Sequence, residues 1–179
     1  MLAILKLGAV HVPVNPMLRE HELAHELADA EVSVVLTQPA LAGLVDAVRD
    51  RTQVRVVATT DPSDMLLADS PDAPFERTGQ ETDWARIVAT PAPADFPEVD
   101  PDRLAALNYT GGTTGMPKGC QHTQAHMLYT AVTATAAHGR RVGAVHGASL
   151  VFMPVFWIAG EDTGILVPLV NGDTVVLLT

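Results

Sequence analysis

The residues best suited to chemistry lie in one short stretch rich in glycine and threonine, residues 110–118, which reads TGGTTGMPK. Glycine lets a bound group approach the backbone closely, and successive N–H groups in such a loop can converge on an anion. Threonine hydroxyls can donate to phosphate oxygens, and a lysine adds a compact positive charge. The pattern predicts a phosphate-binding loop. Its candidate residues are Thr110, Gly111, Gly112, Thr113, Thr114, Gly115 and Lys118.

The loop is not a Walker A loop. That pattern needs a Gly-Lys pair followed by Ser or Thr, whereas here Pro117 precedes Lys118 and Gly119 follows it. The alternative interpretation is a polar hairpin loop without a ligand, because glycine and threonine are common in turns.

Two histidine pairs have the spacing of metal ligands. His21 and His25 belong to the string HELAH, which matches the zinc-protease helix pattern HExxH but has no evident third ligand. We interpret it as part of a surface helix. His122 and His126 are also four apart, but we place the first at a strand end and the second at a helix start. The sequence therefore predicts no metal ligands from the protein.

Composition narrows the classes of partner. The chain has 179 residues, 47% of them apolar, and a formal net charge of −10. An acidic balance argues against a general nucleic-acid or anionic-membrane surface. The single cysteine, Cys120, excludes an internal disulfide and fits a reducing compartment such as the cytoplasm. We expect Cys120 to be a small buried strand residue. The apolar start is interrupted by Lys6 and is too short for a membrane span, so no transmembrane segment is predicted.

The first third of the chain alternates between helical and strand patterns. Helices are predicted at Leu18–Ala30 and Pro39–Asp50, and strands rich in β-branched residues at Val32–Thr37 and Val54–Thr59. This alternation predicts an α/β fold with mixed, largely parallel sheets flanked by helices. Before it, the pattern indicates the end of a helix at Leu2–Leu7 and a short buried strand or extended segment at Val10–Val14.

The middle of the chain, residues 61–102, is acidic and rich in proline. It holds seven prolines and eleven acids against two arginines, which argues against a regular element. We expect a surface connection with one short helix near Trp84–Val88. The chain then has three parts: an α/β lead-in (1–60), this connection (61–102), and the segment with the phosphate loop (103–179).

The elements after the loop are also readable. Thr123 is a plausible N-cap for a helix that Gly139 ends. Asn171-Gly172-Asp173 is predicted to be a turn, and Val175–Leu178 a buried strand. The other predicted elements are a strand at Gly119–His122, a helix at Gln124–His138, a strand at Ser149–Met153 and an apolar helix at Ile158–Val170.

The string YTGGTTGMPKG resembles the phosphate-loop signature of the adenylate-forming, AMP-binding enzymes. These are the acyl-CoA synthetases, the adenylation domains of peptide synthetases and the luciferases. Their usual wording is Tyr-Thr-Ser-Gly-Thr-Thr-Gly-x-Pro-Lys-Gly. This chain departs from it once, with Gly111 where serine is common, and so lacks one hydroxyl.

A second resemblance lies in residues 152–178. The family's acyl-pocket segment commonly reads Pro-x-Phe-His-x-x-Gly before an apolar helix, and Pro154, Phe156, Ala159 and Gly160 align with it. Trp157 stands where histidine is usual, and its alternative role is plain core packing. The resemblance implies an acyl pocket bordered by Phe156, Trp157, Ala159 and Gly160.

The resemblance also implies a reaction. In this family a carboxylate attacks the α-phosphate of Mg²⁺-bound ATP, giving an acyl-adenylate and pyrophosphate, and a thiol, usually that of coenzyme A, then takes the acyl group. Lys118 would be the catalytic residue, offsetting charge on the departing pyrophosphate. The implied partners are ATP, Mg²⁺, coenzyme A and a carboxylic acid of fatty or aromatic type.

Some family strings do not occur in the sequence. It has no Tyr-Gly-x-Thr-Glu string, no ribose-binding aspartate motif and no C-terminal domain with a catalytic lysine. We therefore expect a partial AMP-binding large domain of the acyl-CoA synthetase type, incomplete for catalysis alone and prone to self-association. The alternatives are the adenylation domain of a peptide-synthetase-like enzyme, and a non-catalytic nucleotide-binding or interaction module.

Overall fold

The computed structural model describes residues 1–65, 81–111, 115–139 and 146–178. The chain forms two compact units. One unit comprises Met1–Asn15 together with Phe96–Thr179, and the other comprises Pro16–Asp95.

The described α-helices span 5 to 14 residues and the described strands 4 to 7. The helices are α1 (Leu2–Lys6), α2 (Glu20–Asp29), α3 (Pro39–Val48), α4 (Trp84–Ala89), α5 (Gln124–Ala137) and α6 (Val167–Asn171). The strands are β1 (Val34–Thr37), β2 (Val56–Thr59), β3 (Leu104–Thr110), β4 (Lys118–Thr123), β5 (Ala148–Val151) and β6 (Thr174–Leu177). Within the described ranges, no helix combines the length and the apolar character needed to cross a membrane.

The unit Pro16–Asp95 is an α/β arrangement around a parallel strand pair. β1 and β2 pair in register from Val34↔Val56 to Thr37↔Thr59. α2 packs against α3, and Leu23, Leu27 and Val48 are among the buried residues of these helices. The predicted parallel pairing is confirmed, because the α3 crossover returns the chain in the same direction.

The other unit contains one antiparallel and one parallel pair. β3 and β4 form a hairpin, and β5 pairs with β6 in parallel from Ala148↔Thr174 to Val151↔Leu177. Ala105 and Ala106 of β3 and Met127 of α5 form a buried cluster, with Leu5 and Leu166 packed against it. Alanines on β3 leave room for these larger side chains to approach the sheet. The predicted mixed α/β fold with largely parallel sheets is confirmed.

Predicted helix boundaries are confirmed at both ends of α5. The Thr123 hydroxyl accepts a hydrogen bond from the His126 N–H at 3.2 Å, and His126 Nδ1 accepts one from the Thr123 N–H at 3.3 Å. Gly139, two residues after the helix, has a φ of +69°. A residue in this left-handed region ends a helix at little cost only when it lacks a side chain.

Two predicted strands need correction. For Val10–Val14, the structure shows the extended segment rather than the buried strand. His11 alone in this range forms a bridge, to Ala106, because Pro13 has no N–H with which to continue a ladder. β6 is predicted to be buried, but Val176 is 45% exposed and Leu177 57% exposed. Within the described residues β6 pairs with β5 alone. Few other elements therefore cover its side chains.

The predicted apolar helix at Ile158–Val170 has a different form. Gly160–Leu166 is a π-helix, and α6 follows it directly. Pro168 cannot donate a hydrogen bond to residue 164 and would crowd that carbonyl in a continuous α-helix. A wider turn before Pro168 relieves both problems. Such π segments are rare and are frequently found at functional sites.

Candidate functional site

The β3–β4 hairpin holds the two ends of the predicted phosphate loop together. Thr110, the last residue of β3, pairs with Lys118, the first residue of β4. The Thr110 hydroxyl donates a hydrogen bond to the Lys118 carbonyl oxygen at 3.4 Å. Both residues are exposed, so a hydroxyl and an ammonium group stand at the mouth of the loop.

The two described glycines of the loop, Gly115 and Gly111, differ in whether the structure would admit a side chain at their positions. Gly115 has a φ of +116°, a conformation that side chains disfavour. Among the described residues, a Cβ at Gly111 would meet nothing within 4 Å, so none of them blocks a serine there. Gly112, Thr113 and Thr114 lie outside the described residues.

Tyr109 and Gly119 fix the base of the loop. They are paired across the hairpin, and a Cβ at Gly119 would lie 3.1 Å from Cζ of Tyr109. The absence of a side chain at Gly119 therefore lets the tyrosine ring lie across β4. This close packing gives a physical reason for glycine directly after the lysine.

Two of the predicted acyl-pocket residues, Phe156 and Trp157, lie in the turn after β5, and Ala159 and Gly160 lie at the start of the helical segment that follows. The rings of Phe156 and Trp157 meet edge to face, with centroids 5.6 Å apart and planes at 77°. Trp157 is 55% exposed, which contradicts core packing as its role within the described chain. Ala159 is also exposed, whereas Gly160 is buried. A Cβ at Gly160 would lie far inside contact distance of the Pro154 carbonyl oxygen, so only glycine fits.

A buried polar network that the sequence did not predict joins these two regions. The Glu161 side chain is 1% exposed, and its Oε1 lies 3.0 Å from Nδ1 of His11. The Asn108 side-chain amide donates to Oε2 of Glu161 at 3.2 Å. Burial alone would raise the pKa of Glu161. The interactions with His11 and Asn108 together outweigh burial and hold this pKa below its ordinary value. Because an ionised carboxylate only accepts, Nδ1 of His11 carries the proton in this contact.

The next residue has the opposite electrostatics. Asp162 is 6% exposed, and burial together with the charge of Glu161 raises its pKa to about 6. Among the described residues, Oδ1 of Asp162 has no hydrogen-bond partner. Two adjacent acids inside an otherwise apolar stretch were the sequence signal for this network.

The histidine pairs are arranged as expected. His21 and His25 lie on α2, whose residues Leu23 and Leu27 face the core. His122 lies on β4 and His126 on α5, which confirms that they share no helix. No group of three histidine, cysteine or acidic residues suited to a metal occurs in the described parts of the chain. The absence of zinc at His21 and His25 stays a prediction.

The expectation for Cys120 is half right. The residue lies on β4, as predicted, but it is exposed rather than buried. A strand buries only the side chains on a face that another element covers, and sequence alone did not show which face that is.

Together, an α/β fold and a hairpin loop of glycine, threonine and lysine define a candidate nucleotide-phosphate site. The family model described as "AMP-binding enzyme" matches residues 1–179. The chain therefore belongs to the AMP-binding enzyme family.

Individual relatives agree with this assignment. The human protein "Acetyl-coenzyme A synthetase 2-like, mitochondrial" is 30% identical over 99% of this chain and 26% of its own length. A linear gramicidin synthase polypeptide of Brevibacillus parabrevis is 34% identical over 65% of this chain and 1% of its own length. The structure of ATP-bound MatB from Rhodopseudomonas palustris superposes with a TM-score of 0.77 at 21% identity, covering 99% of this chain and 31% of that one. The chain thus spans about a quarter of the length of the human relative.

Proposed function

We propose that this chain supplies the phosphate-binding loop and part of the acyl pocket of an ATP-dependent acyl-CoA synthetase. The observation that carries the proposal is the pairing of Thr110 with Lys118 at the mouth of a loop in which Gly115 has a positive φ. Glycine-rich loops of this kind let backbone N–H groups and an ammonium group converge on one anion. The reaction joins a carboxylic acid to AMP with release of pyrophosphate, and then transfers the acyl group to coenzyme A.

In this proposal Lys118 is the catalytic residue and the loop binds the β- and γ-phosphates of ATP. Negative charge grows on the departing pyrophosphate, and a preorganised cation lowers the free energy of that transition state. The remaining donors would come from the loop backbone and from Thr113 and Thr114. Thr110 would join them when its hydroxyl turns from the Lys118 carbonyl oxygen to a phosphate oxygen. Mg²⁺ would enter on the phosphate oxygens of ATP, since no described cluster of acids is suited to hold it in advance.

The acyl pocket would be bordered by Phe156, Trp157, Ala159 and Gly160. An exposed indole and a phenyl ring meeting edge to face offer apolar surface to an acyl chain or an aromatic ring. No charged side chain occurs between Phe152 and Gly160. We therefore propose a fatty or aromatic acid as the substrate, and fatty acid metabolism as its setting. The single cysteine fits a reducing compartment, and we propose the cytoplasm.

Two alternatives have a specific observation behind them. The similarity to a gramicidin synthase favours a carrier-protein thiol in place of coenzyme A as the acyl acceptor. The pairing of Thr110 with Lys118 at the mouth of the loop would serve equally well in a nucleotide-binding module that does not catalyse.

The test is carboxylate-dependent exchange of labelled pyrophosphate into ATP, assayed on the full-length protein that contains this chain. A panel of acetate, straight-chain fatty acids and benzoates identifies the acid class. Mass spectrometry after addition of coenzyme A or of a carrier protein bearing pantetheine identifies the acceptor. Exchange with none of the acids, despite measurable ATP binding, would favour the non-catalytic module.

A further inference from the structure

We propose that Glu161 is a positioning residue that ties the acyl-pocket turn to the strand entering the phosphate loop. The inference rests on the proposed function, because it concerns the alignment of the two substrates that this function joins. One buried carboxylate contacts both regions, and nothing in the family resemblance assigned it a role.

The position of Glu161 along the chain makes it suited to this task. It directly follows Gly160, whose backbone is packed tightly against the Pro154 carbonyl group. Its Oε2 accepts from the amide of Asn108, which lies two residues before Thr110 on β3. The carboxylate therefore connects the end of the pocket turn to the start of the phosphate loop by one hydrogen bond.

His11 fixes the other oxygen of the carboxylate. Its own backbone is held on β3 by two hydrogen bonds, one from its N–H to the Ala105 carbonyl at 2.8 Å and one from the Leu107 N–H to its carbonyl at 2.9 Å. Its imidazole, 3.0 Å from Oε1, is thus anchored beside the strand that also carries Asn108. Of the two partners of Glu161, Asn108 belongs to β3 and His11 is held on β3. These contacts therefore fix the position of the pocket turn relative to that strand.

The orientation of Asn108 depends on this bond. Asn108 is 6% exposed, and its Oδ1 has no hydrogen-bond partner among the described residues. Its amide group is therefore oriented through its nitrogen, by Glu161. Removing the carboxylate would leave the Asn108 side chain free to turn, close to the point where β3 enters the loop.

Stability alone explains the network poorly. Replacing a buried ionic group by apolar residues of similar volume is often neutral or stabilising, whereas a fixed polar contact constrains geometry. The carboxylate also lies in a π-helix, a form concentrated at functional sites. Alignment is where such a constraint matters, because a misplacement of about 1 Å can slow a reaction by ~10²-fold.

The test uses three variants of the full-length protein, assayed by pyrophosphate exchange with its best acid. Glu161→Gln keeps the shape but removes the charge and one acceptor, and we expect kcat to fall by about 10-fold or more, with each KM changing less than about 3-fold. Asp162→Asn, a neighbouring buried acid on the same helix, is the matched control and should leave kcat within about 3-fold. The double variant Glu161→Gln/Asn108→Asp should recover most of kcat, because the new amide at position 161 can donate to the new carboxylate at position 108.

The outcomes separate this inference from the proposed function. A wild-type protein that supports no exchange overturns both. An active wild type with Glu161→Gln indistinguishable from Asp162→Asn overturns the positioning role alone, as does a double variant whose kcat is no higher than that of Glu161→Gln. If circular dichroism shows that Glu161→Gln does not fold, Asn108→Ala decides, since it keeps the carboxylate. An unchanged kcat in that variant refutes the inference.

Discussion

Thr110 and Lys118 face each other across the last pair of the β3–β4 hairpin, and the Thr110 hydroxyl donates to the Lys118 carbonyl oxygen. The bond uses the carbonyl group of Lys118 and does not involve its ammonium group. Lys118 is the first residue of β4, so its side chain starts at the mouth of the loop. A hairpin closed in this way fixes both ends of the loop. The consequences can be measured at single positions.

Lys118 should dominate the chemistry of ATP. Lys118→Ala is expected to slow pyrophosphate exchange by ~10²-fold or more, the scale of losing one preorganised transition-state donor. The sequence contains one other lysine, Lys6, which lies over the ring of Phe96 at 4.4 Å. Lys6→Ala is therefore a control with the same change in net charge, and its exchange rate should stay near that of wild type. Equal rates for wild type and Lys118→Ala would disprove the assignment.

The loop glycines should respond differently to substitution. Gly115→Ala forces a side chain into a positive φ and should destabilise the loop by about 1 kcal/mol, with weaker ATP binding. Gly111→Ser meets open space and restores the hydroxyl common in the family, so ATP affinity should be unchanged or higher. Isothermal titration with ATP and Mg²⁺ compares the two. A stronger loss of ATP affinity in Gly111→Ser than in Gly115→Ala would contradict the positive φ described for Gly115.

Gly160 should tolerate no side chain. A Cβ there collides with the carbonyl group of Pro154, and the backbone must move to admit it. We expect Gly160→Ala to lower the free energy of unfolding by roughly 1–3 kcal/mol. Gly43→Ala is the contrast, because Gly43 lies in α3 with nothing within 4 Å of a Cβ, and alanine is the better helix former. Denaturant titrations of both variants should move in opposite directions from wild type.

Glu26 should make stability depend on pH. It is 4% exposed on α2, and burial raises its pKa to about 7, with Glu22 adding to the rise and His25 opposing it. The native state therefore holds a proton on Glu26 that the unfolded chain releases near its ordinary pKa, so stability falls as pH rises from about 4.5 to about 7. Glu26→Gln removes this loss and should raise Tm relative to wild type at pH 8 but not at pH 4.

Glu20 provides the control for that experiment. It lies on the same helix but is exposed, so Glu20→Gln should show no comparable gain at pH 8. A Tm difference between wild type and Glu26→Gln that is constant from pH 4 to pH 8 would contradict the buried state of the carboxyl group.

Local patterns predicted much of the fold, whereas contacts distant in sequence escaped them. The Thr123 cap and the end of α5 near Gly139 follow from residues a few positions apart, and the β1–β2 pair follows from the alternation of strand and helix patterns along one stretch of chain. The Glu161–His11 contact joins residues 150 positions apart, and no periodicity encodes it. The π-helix depends on how Pro168 and two glycines, Gly160 and Gly164, pack. A hydrophobic pattern does not predict such packing. The predicted burial of Cys120 was wrong for a related reason, since burial depends on which elements cover a face of the strand.

The last prediction concerns the uncovered face of the β5–β6 pair. Leu150 and Val176 are paired residues on one face, and they are 62% and 45% exposed. An apolar strand pair in water favours association with another apolar surface. The 179-residue chain produced alone should therefore form oligomers whose fraction rises with concentration, measured by size-exclusion chromatography with light scattering. Leu150→Lys/Val176→Lys should raise the monomer fraction, whereas Val99→Lys, at a residue 94% exposed outside both strands, should not. A wild-type chain that remains monomeric at high concentration would show that this face does not drive association.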